Sequence, residues 1–327
     1  MELLCGKQRE RMGDEAVPRR PATATWPVTG AAGRAPSGRH LRIAMMPRSR
    51  GAPYSAWCRE GAQEAAGELD VELVWDGPDE PNPAAQAGIV RNWLDGRFDA
   101  LVVAASDPQR VSPVLREAQA HGIPVIAWDS DAEPDARSIY VNPVAVDETS
   151  RILADEVAKL VEGHGEVAVL ADRYAGVFEA FWARLLEKDP VVKLSAILFD
   201  IDDGRRAFGF IRGAVSACPS IRLVVALSPF SLPGAAKAVS LSARSNVRVI
   251  GLGLPPFGSR YLAGGMAPVM LHWNPQDLGY LTVHVAALLA RRALVPNASS
   301  LLAGRLGKRD LRGCEVVLGP LVVTRSR

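Results

Sequence analysis

Cysteine and histidine are scarce in this chain, and neither is arranged for chemistry. The four cysteines, Cys5, Cys58, Cys218 and Cys314, are scattered over 327 residues without a CxxC pair, and the five histidines form no HxxxH or HExxH pattern. Metal sites need ligands clustered at short spacings, so no metal is expected. Each cysteine reads as a small apolar side chain, with a disulfide left open. No stretch approaches the ~20 uncharged apolar residues that a membrane helix requires. The formal net charge is only +2, which gives no argument for nucleic acid or an anionic membrane as partner. Positive charge is concentrated at the start, where the first 42 residues carry eight Lys or Arg against four acids.

Cofactor and nucleophile motifs are missing as well. A dinucleotide fold needs GxGxxG straight after its first strand so that the backbone can approach a pyrophosphate. Here that turn is Pro47-Arg-Ser-Arg-Gly-Ala-Pro53. There is no Walker A loop, and Gly251-Leu-Gly runs into Leu254-Pro255-Pro256 rather than a helix-opening glycine. No GxSxG elbow for a serine nucleophile occurs. Asp129 and Asp131 could be an acid–base pair, since residues two apart on an extended strand point the same way. A glycosidase pair, however, flanks its substrate from two sides. No cofactor and no catalytic residue are expected, and the chain reads as a binder, not an enzyme.

What the chain does have is rhythm. Apolar runs begin near residues 41, 71, 99 and 123, each followed by a helical pattern, the βαβ signature of a parallel doubly wound sheet. Arg137–Val141 reads as a short linking strand, and the alternation then restarts through strands at 166–170, 191–199, 222–227 and 247–251. The last elements, a strand at 266–271, a helix at 276–291 and one short strand within 313–323, are expected to complete these sheets. The division expected is a disordered basic tail (1–40), lobe one (41–143 plus about 273–300) and lobe two (144–272 plus about 310–325). The tail lacks the continuous apolar core of a secretory signal, so a cytoplasmic location stays open.

Ligands of open parallel sheets bind outside the carboxyl ends of the strands. Those ends carry Arg48, Tyr54 and Trp57 after the first strand, Asp129 and Asp131 after the fourth, and Trp273 and Asn274 after the late strand. Carboxylates, guanidinium and amide groups satisfy hydroxyls, and aromatic faces supply apolar contact, so a polyol ligand is expected. The same residues have plainer readings. Either aspartate can cap a turn, Trp57 can pack its helix on the sheet, Trp273 can be core at a hinge, and Arg48 can be a solvated loop charge.

Pro47-Arg48, Trp75-Asp-Gly-Pro-Asp-Glu-Pro81, Trp128-Asp-Ser-Asp-Ala-Glu-Pro-Asp-Ala-Arg-Ser-Ile-Tyr-Val-Asn142 and Leu271-His-Trp-Asn-Pro-Gln-Asp-Leu-Gly-Tyr280 resemble type I periplasmic sugar-binding proteins of ABC importers. The rhamnose-binding and autoinducer-2 receptor subgroup is the nearest in these motifs. The resemblance implies an α/β fold of two doubly wound parallel-sheet lobes joined by a hinge, closing over one small sugar. It also implies docking on a membrane permease, a periplasmic or extracellular location and a monomeric protein. A cytoplasmic sugar-sensing regulator of the same fold is the alternative. The autoinducer-2 receptors are similar at Arg48 and Asp129. Their Asp-Gln pair in the second lobe falls here on Phe178-Glu179, and a proline of theirs on Pro229, followed by Phe230 and Ser231. These departures shift the expected ligand towards a deoxysugar or pentose, with Phe178 and Phe230 as apolar walls.

Overall fold

The computed structural model describes residues 2–3, 40–161, 165–172, 176–199, 204–294 and 298–326. Of the expected tail, all but Glu2, Leu3 and His40 lies outside the described residues, as does Cys5. Cys58 and Cys218 are buried, Cys314 is half-buried, and all three are free thiols.

Lobe one contains the described residues from His40 to Pro143 and returns as Asn274–Gly319. Its strands are β1 (Leu41–Met46), β2 (Val71–Trp75), β3 (Ala100–Val103), β4 (Val125–Trp128) and β5 (Ile139–Asn142), interleaved with α1 (Pro53–Leu69), α2 (Pro83–Leu94) and α3 (Pro108–Ala120). They lie parallel in the order β2-β1-β3-β4-β5. Strands β3, β4 and β5 are buried throughout, as expected of a parallel sheet covered on both faces. Asn82 and Asp107 start α2 and α3 by accepting the amides of Ala85 and Arg110, each satisfying one of the orphan donors of a helix start.

Lobe two is built from Val144–Trp273 and the last residues from Pro320. Helix α4 (Val146–Val161) leads into β6 (Glu166–Ala171), β7 (Lys193–Phe199), β8 (Ile221–Ala226), β9 (Arg248–Leu252) and β10 (Val269–His272). Between them run α5 (Val177–Lys188), α6 (Gly204–Ala217), α7 (Leu232–Ser240) and α8 (Pro255–Ala263). The parallel order is β7-β6-β8-β9-β10, with Glu2–Leu3 antiparallel on the outer side of β7. The two lobes repeat one strand order. The chain passes from one to the other after residues 143, 273 and 319.

The end of the chain departs from the sequence expectation. Helix α9 (Pro275–Ala290) is followed by β11 (Ser300–Leu302), β12 (Lys308–Arg312), β13 (Glu315–Val317) and β14 (Val322–Arg325). Strand β13 pairs parallel with β5, and β12 and β11 extend lobe one's sheet, so only β14 joins lobe two. The assignment of about 310–325 to lobe two therefore divides near residue 319. The physical reason is that Lys308–Arg312 is a charged strand held by backbone pairing, with no apolar pattern to announce it. Likewise α8 opens directly at Pro255-Pro256, where no helix was expected. Proline at the first helical positions loses no intrahelical bond.

Strand β14 is tied down by charge. Arg325 and Lys159 donate to the buried carboxylate of Glu156 on α4 at 2.9 and 3.1 Å. Burial alone would raise the pKa of Glu156, but these bonds outweigh it and hold the group below its ordinary value. A depressed carboxylate contributes stability above its unfolded pKa and loses it as pH falls through the folded one. The melting temperature of wild type should thus exceed that of Glu156→Gln near neutrality, and the gap should close as pH drops below about 4. A gap that persists at low pH would show that charge has no part in the tie.

Candidate functional site

In the order 2-1-3-4-5 the crossovers reverse direction between the first and third strands, and a crevice opens there at the carboxyl ends. In lobe one this switch point lies between β1 and β3. The loop after β1 is held to the loop after β2: Arg50 N donates to Pro78 O at 2.8 Å, and its guanidinium reaches Asp76 and Asp79 at 3.3 and 3.1 Å. The loops after β1 and β3 are joined by Gln86 of α2, a fully buried side chain. Its amide NH2 donates to Pro47 O (3.2 Å) and Ala104 O (2.8 Å), while its oxygen accepts from Ser106 N (2.9 Å) and Oγ (2.7 Å). Nothing singled this residue out in the sequence. It nonetheless falls one turn before Val90 and two before Trp93, on the inward stripe of α2, where a polar residue needs partners.

Arg48 sits half-buried in this loop. Tyr54 and Trp57 lie in the first turns of α1, Tyr54 buried and Trp57 half-buried. Tyr54 donates its hydroxyl to Asp129 Oδ1 at 2.7 Å, so the structure brings together two residues that are 75 positions apart. The nearby Cys58 thiol is pushed well up, first by burial and then by the Asp129 charge.

Strand β4 ends at Trp128, whose indole donates to Met46 O at 2.9 Å. Asp129 then turns into the left-handed region (φ 60°), which aspartate tolerates better than most side chains. Its amide donates to Val141 O (3.1 Å) and its carbonyl accepts from the Tyr140 hydroxyl (2.9 Å). This kink overturns the premise that Asp129 and Asp131 extend from one strand in the same direction. Asp131 instead forms a two-pronged ion pair with Arg137, at 2.5 and 3.0 Å, with side-chain exposures of 15% and 7%. Arg137 also donates to Cys314 O (3.1 Å) and lies over the Tyr140 ring at 5.5 Å. Asn142 donates to Glu315 at 2.7 Å. The motif 128–142 is therefore a buckle: Asp131 holds Arg137, Arg137 packs on Tyr140, and Tyr140 holds the Asp129 turn.

Asn274, exposed, caps α9 by accepting Gln276 N at 3.0 Å. The remaining candidates belong to lobe two and are gathered at its own carboxyl strand ends. Phe178 and Glu179 open α5 after β6. Phe178 stacks on Trp182 (6.3 Å, 18°) and meets Phe199 edge-on (5.5 Å). Among the described residues Glu179 Oε2 is buried without a hydrogen-bond partner, a costly state for a carboxylate oxygen that another donor would relieve. Pro229 is buried after β8, and the fully buried Ser231 spends its hydroxyl on Ser228 O at 2.8 Å. Trp273, 7% exposed, follows β10. Among the described residues no group of three metal-ligating side chains occurs.

Residues 43–293 match the periplasmic binding protein domain family, and the chain belongs to it. The fold is that family's type I form with two lobes joined by a hinge, and the family binds and delivers solutes without catalysing a reaction. The ribose import binding protein of Salmonella typhimurium is 25% identical over 254 residues, 75% of this chain and 83% of that protein. A sugar ABC transporter structure from Actinomyces odontolyticus is 26% identical, with TM-score 0.70 over 88% of this chain and 95% of its own. An ABC transporter solute-binding protein from Clostridium phytofermentas with bound L-rhamnose superposes with TM-score 0.79 at 22% identity, over 88% of this chain and 96% of that one.

Proposed function

We propose that the protein is the sugar-binding component of an ABC importer, located outside the cytoplasmic membrane and working as a monomer with a membrane permease. Its ligand is a small neutral sugar, a deoxysugar such as L-rhamnose or a pentose. The observation that carries this reading is the Asp129 carboxylate, kinked out of β4 at a carboxyl strand end and aimed by the Tyr54 hydroxyl. A carboxylate held in this way accepts hydrogen bonds from sugar hydroxyls without reorganising. Arg48 after β1 adds donors of complementary type. Lobe two, taken by itself, gathers the Phe178, Trp182 and Phe199 rings at its own carboxyl strand ends, apolar surface of the kind a sugar methyl group favours. Ribose and rhamnose as the ligands of two relatives agree with this choice.

Isothermal calorimetry against L-rhamnose, D-ribose and D-arabinose tests the proposal. One of these should bind wild type at micromolar or better affinity, and Asp129→Ala should weaken it by about 30-fold, or ~2 kcal/mol, the scale for leaving a buried partner unpaired. Tyr54→Phe should cost less, since it loosens the carboxylate without removing it. Affinity unchanged in Asp129→Ala would take that residue out of the site.

A further inference from the structure

We propose that one helical layer of lobe two is a docking surface for an anionic phospholipid bilayer. The charge in this chain is segregated. From Gly204 to Trp273 the sequence has seven arginines and one lysine and not a single Asp or Glu. That stretch spans α6, α7 and α8 with the strands between them. Crossovers β7-α6-β8, β8-α7-β9 and β9-α8-β10 all run in one direction across the sheet, so their right-handedness puts the three helices on the same face. Helix α6 packs on α7, and α7 on α8.

Arg205 and Arg206 open α6 with partners of their own. The three cations that matter are Arg212, Lys237 and Arg260, one on each helix and all exposed. None pairs with a carboxylate among the described residues. Arg212 and Lys237 instead flank one aromatic ring, lying over Phe208 at 5.5 and 5.9 Å. Arg260 lies over Tyr261 at 4.7 Å and donates to its hydroxyl at 2.8 Å. The contrast is within the same lobe, where Arg151, Arg184, Lys188 and Arg325 all reach carboxylates. Leu241, 68% exposed, follows Lys237 by one helical turn.

Unpaired cations spread over a broad face seek a spread of negative charge. Half-buried Phe208 and Tyr261, which also pack against the core of the lobe, and exposed Leu241 add apolar surface on or beside the same helices. Basic side chains mixed with aromatic and aliphatic ones are what the headgroup layer of an anionic membrane accepts, with phosphates meeting the cations and the apolar groups entering the acyl boundary. The surface is separate from the sugar site, so the inference stands whether or not the ligand reading does.

The test is co-flotation of the full chain with phosphatidylcholine vesicles containing about one-third phosphatidylglycerol, at roughly 0.05 M salt, where screening is weak. Wild type should float with these vesicles, not with pure phosphatidylcholine, and should release at about 0.5 M salt. Each cation near such a surface contributes about a fivefold factor, so Arg212→Glu/Lys237→Glu/Arg260→Glu should weaken binding at least about 100-fold. Its melting temperature and sugar affinity should match wild type. Failure of wild type to float would overturn the proposal, even if the face captured an acidic protein. Equal binding by the triple variant would also overturn it, assigning the attraction to the basic N-terminal stretch.

Discussion

Asp131→Ala should lower folding stability by about 3–5 kcal/mol, the range for removing one partner of a buried ion pair. The cost arises because Arg137, 7% exposed, would keep its charge in a buried place with, among the described residues, the Cys314 carbonyl and the Tyr140 ring for company. Asp131→Asn, which preserves shape and one acceptor, should cost less. The effect on sugar affinity should be smaller than that of Asp129→Ala, since the buckle loosens while the binding carboxylate remains. Chemical denaturation and calorimetry on the same variants separate the two aspartates. If Asp131→Ala lost affinity as steeply as Asp129→Ala while unfolding at the same denaturant concentration, the buckle would be the wrong account.

Gly279→Ala should be comparably damaging, for a reason of shape. Helices α1 and α9 of lobe one touch backbone to backbone: a Cβ on Gly279 would lie 1.8 Å from Cys58 O, and one on Gly61 would lie 1.8 Å from Gln276 O. Neither neighbour is a side chain that can swing away, so the helices must part. Overpacking of this kind costs about 3 kcal/mol or more, which lowers the melting temperature of a lobe this size by roughly 8 °C. Gly67→Ala is the control. It lies in α1, the helix of Gly61, with nothing within 4 Å of the added carbon, and it should stabilise by about 0.5–1 kcal/mol. Thermal unfolding of the pair should give opposite signs, and two small effects of the same sign would refute the close approach.

The doubly wound rhythm of both lobes was legible because parallel strands buried on two faces must be continuous apolar runs. The placement of Asp129 at a strand's carboxyl end followed from the same pattern. What Asp131 does was not legible. Its job depends on a left-handed residue two positions earlier and on Arg137 folding back, neither of which leaves a periodic trace. Tyr140 read only as strand material, although its hydroxyl fixes the Asp129 turn. Strand β12 was hidden for the opposite reason, being charged and defined by pairing with its short neighbours β11 and β13, while the pairing of β13 with β5 joins segments more than 170 residues apart. The net charge of +2 was summed over the whole chain, and that sum cancelled the acid-free stretch against the one just before it, where residues 144–203 carry thirteen acids and six Lys or Arg.

The three crossings between lobes bear on the order of events at the ribosome. The parallel strands of lobe two, residues 166–272, emerge as one uninterrupted block and need only β14 to finish their sheet. Lobe one cannot be finished when its first five strands have appeared, because β5 stays a bare edge until Glu315–Val317 arrives more than 170 residues later. The earliest synthesised half of the protein is thus among the last to be sealed. That delay leaves the nascent chain open for most of its manufacture.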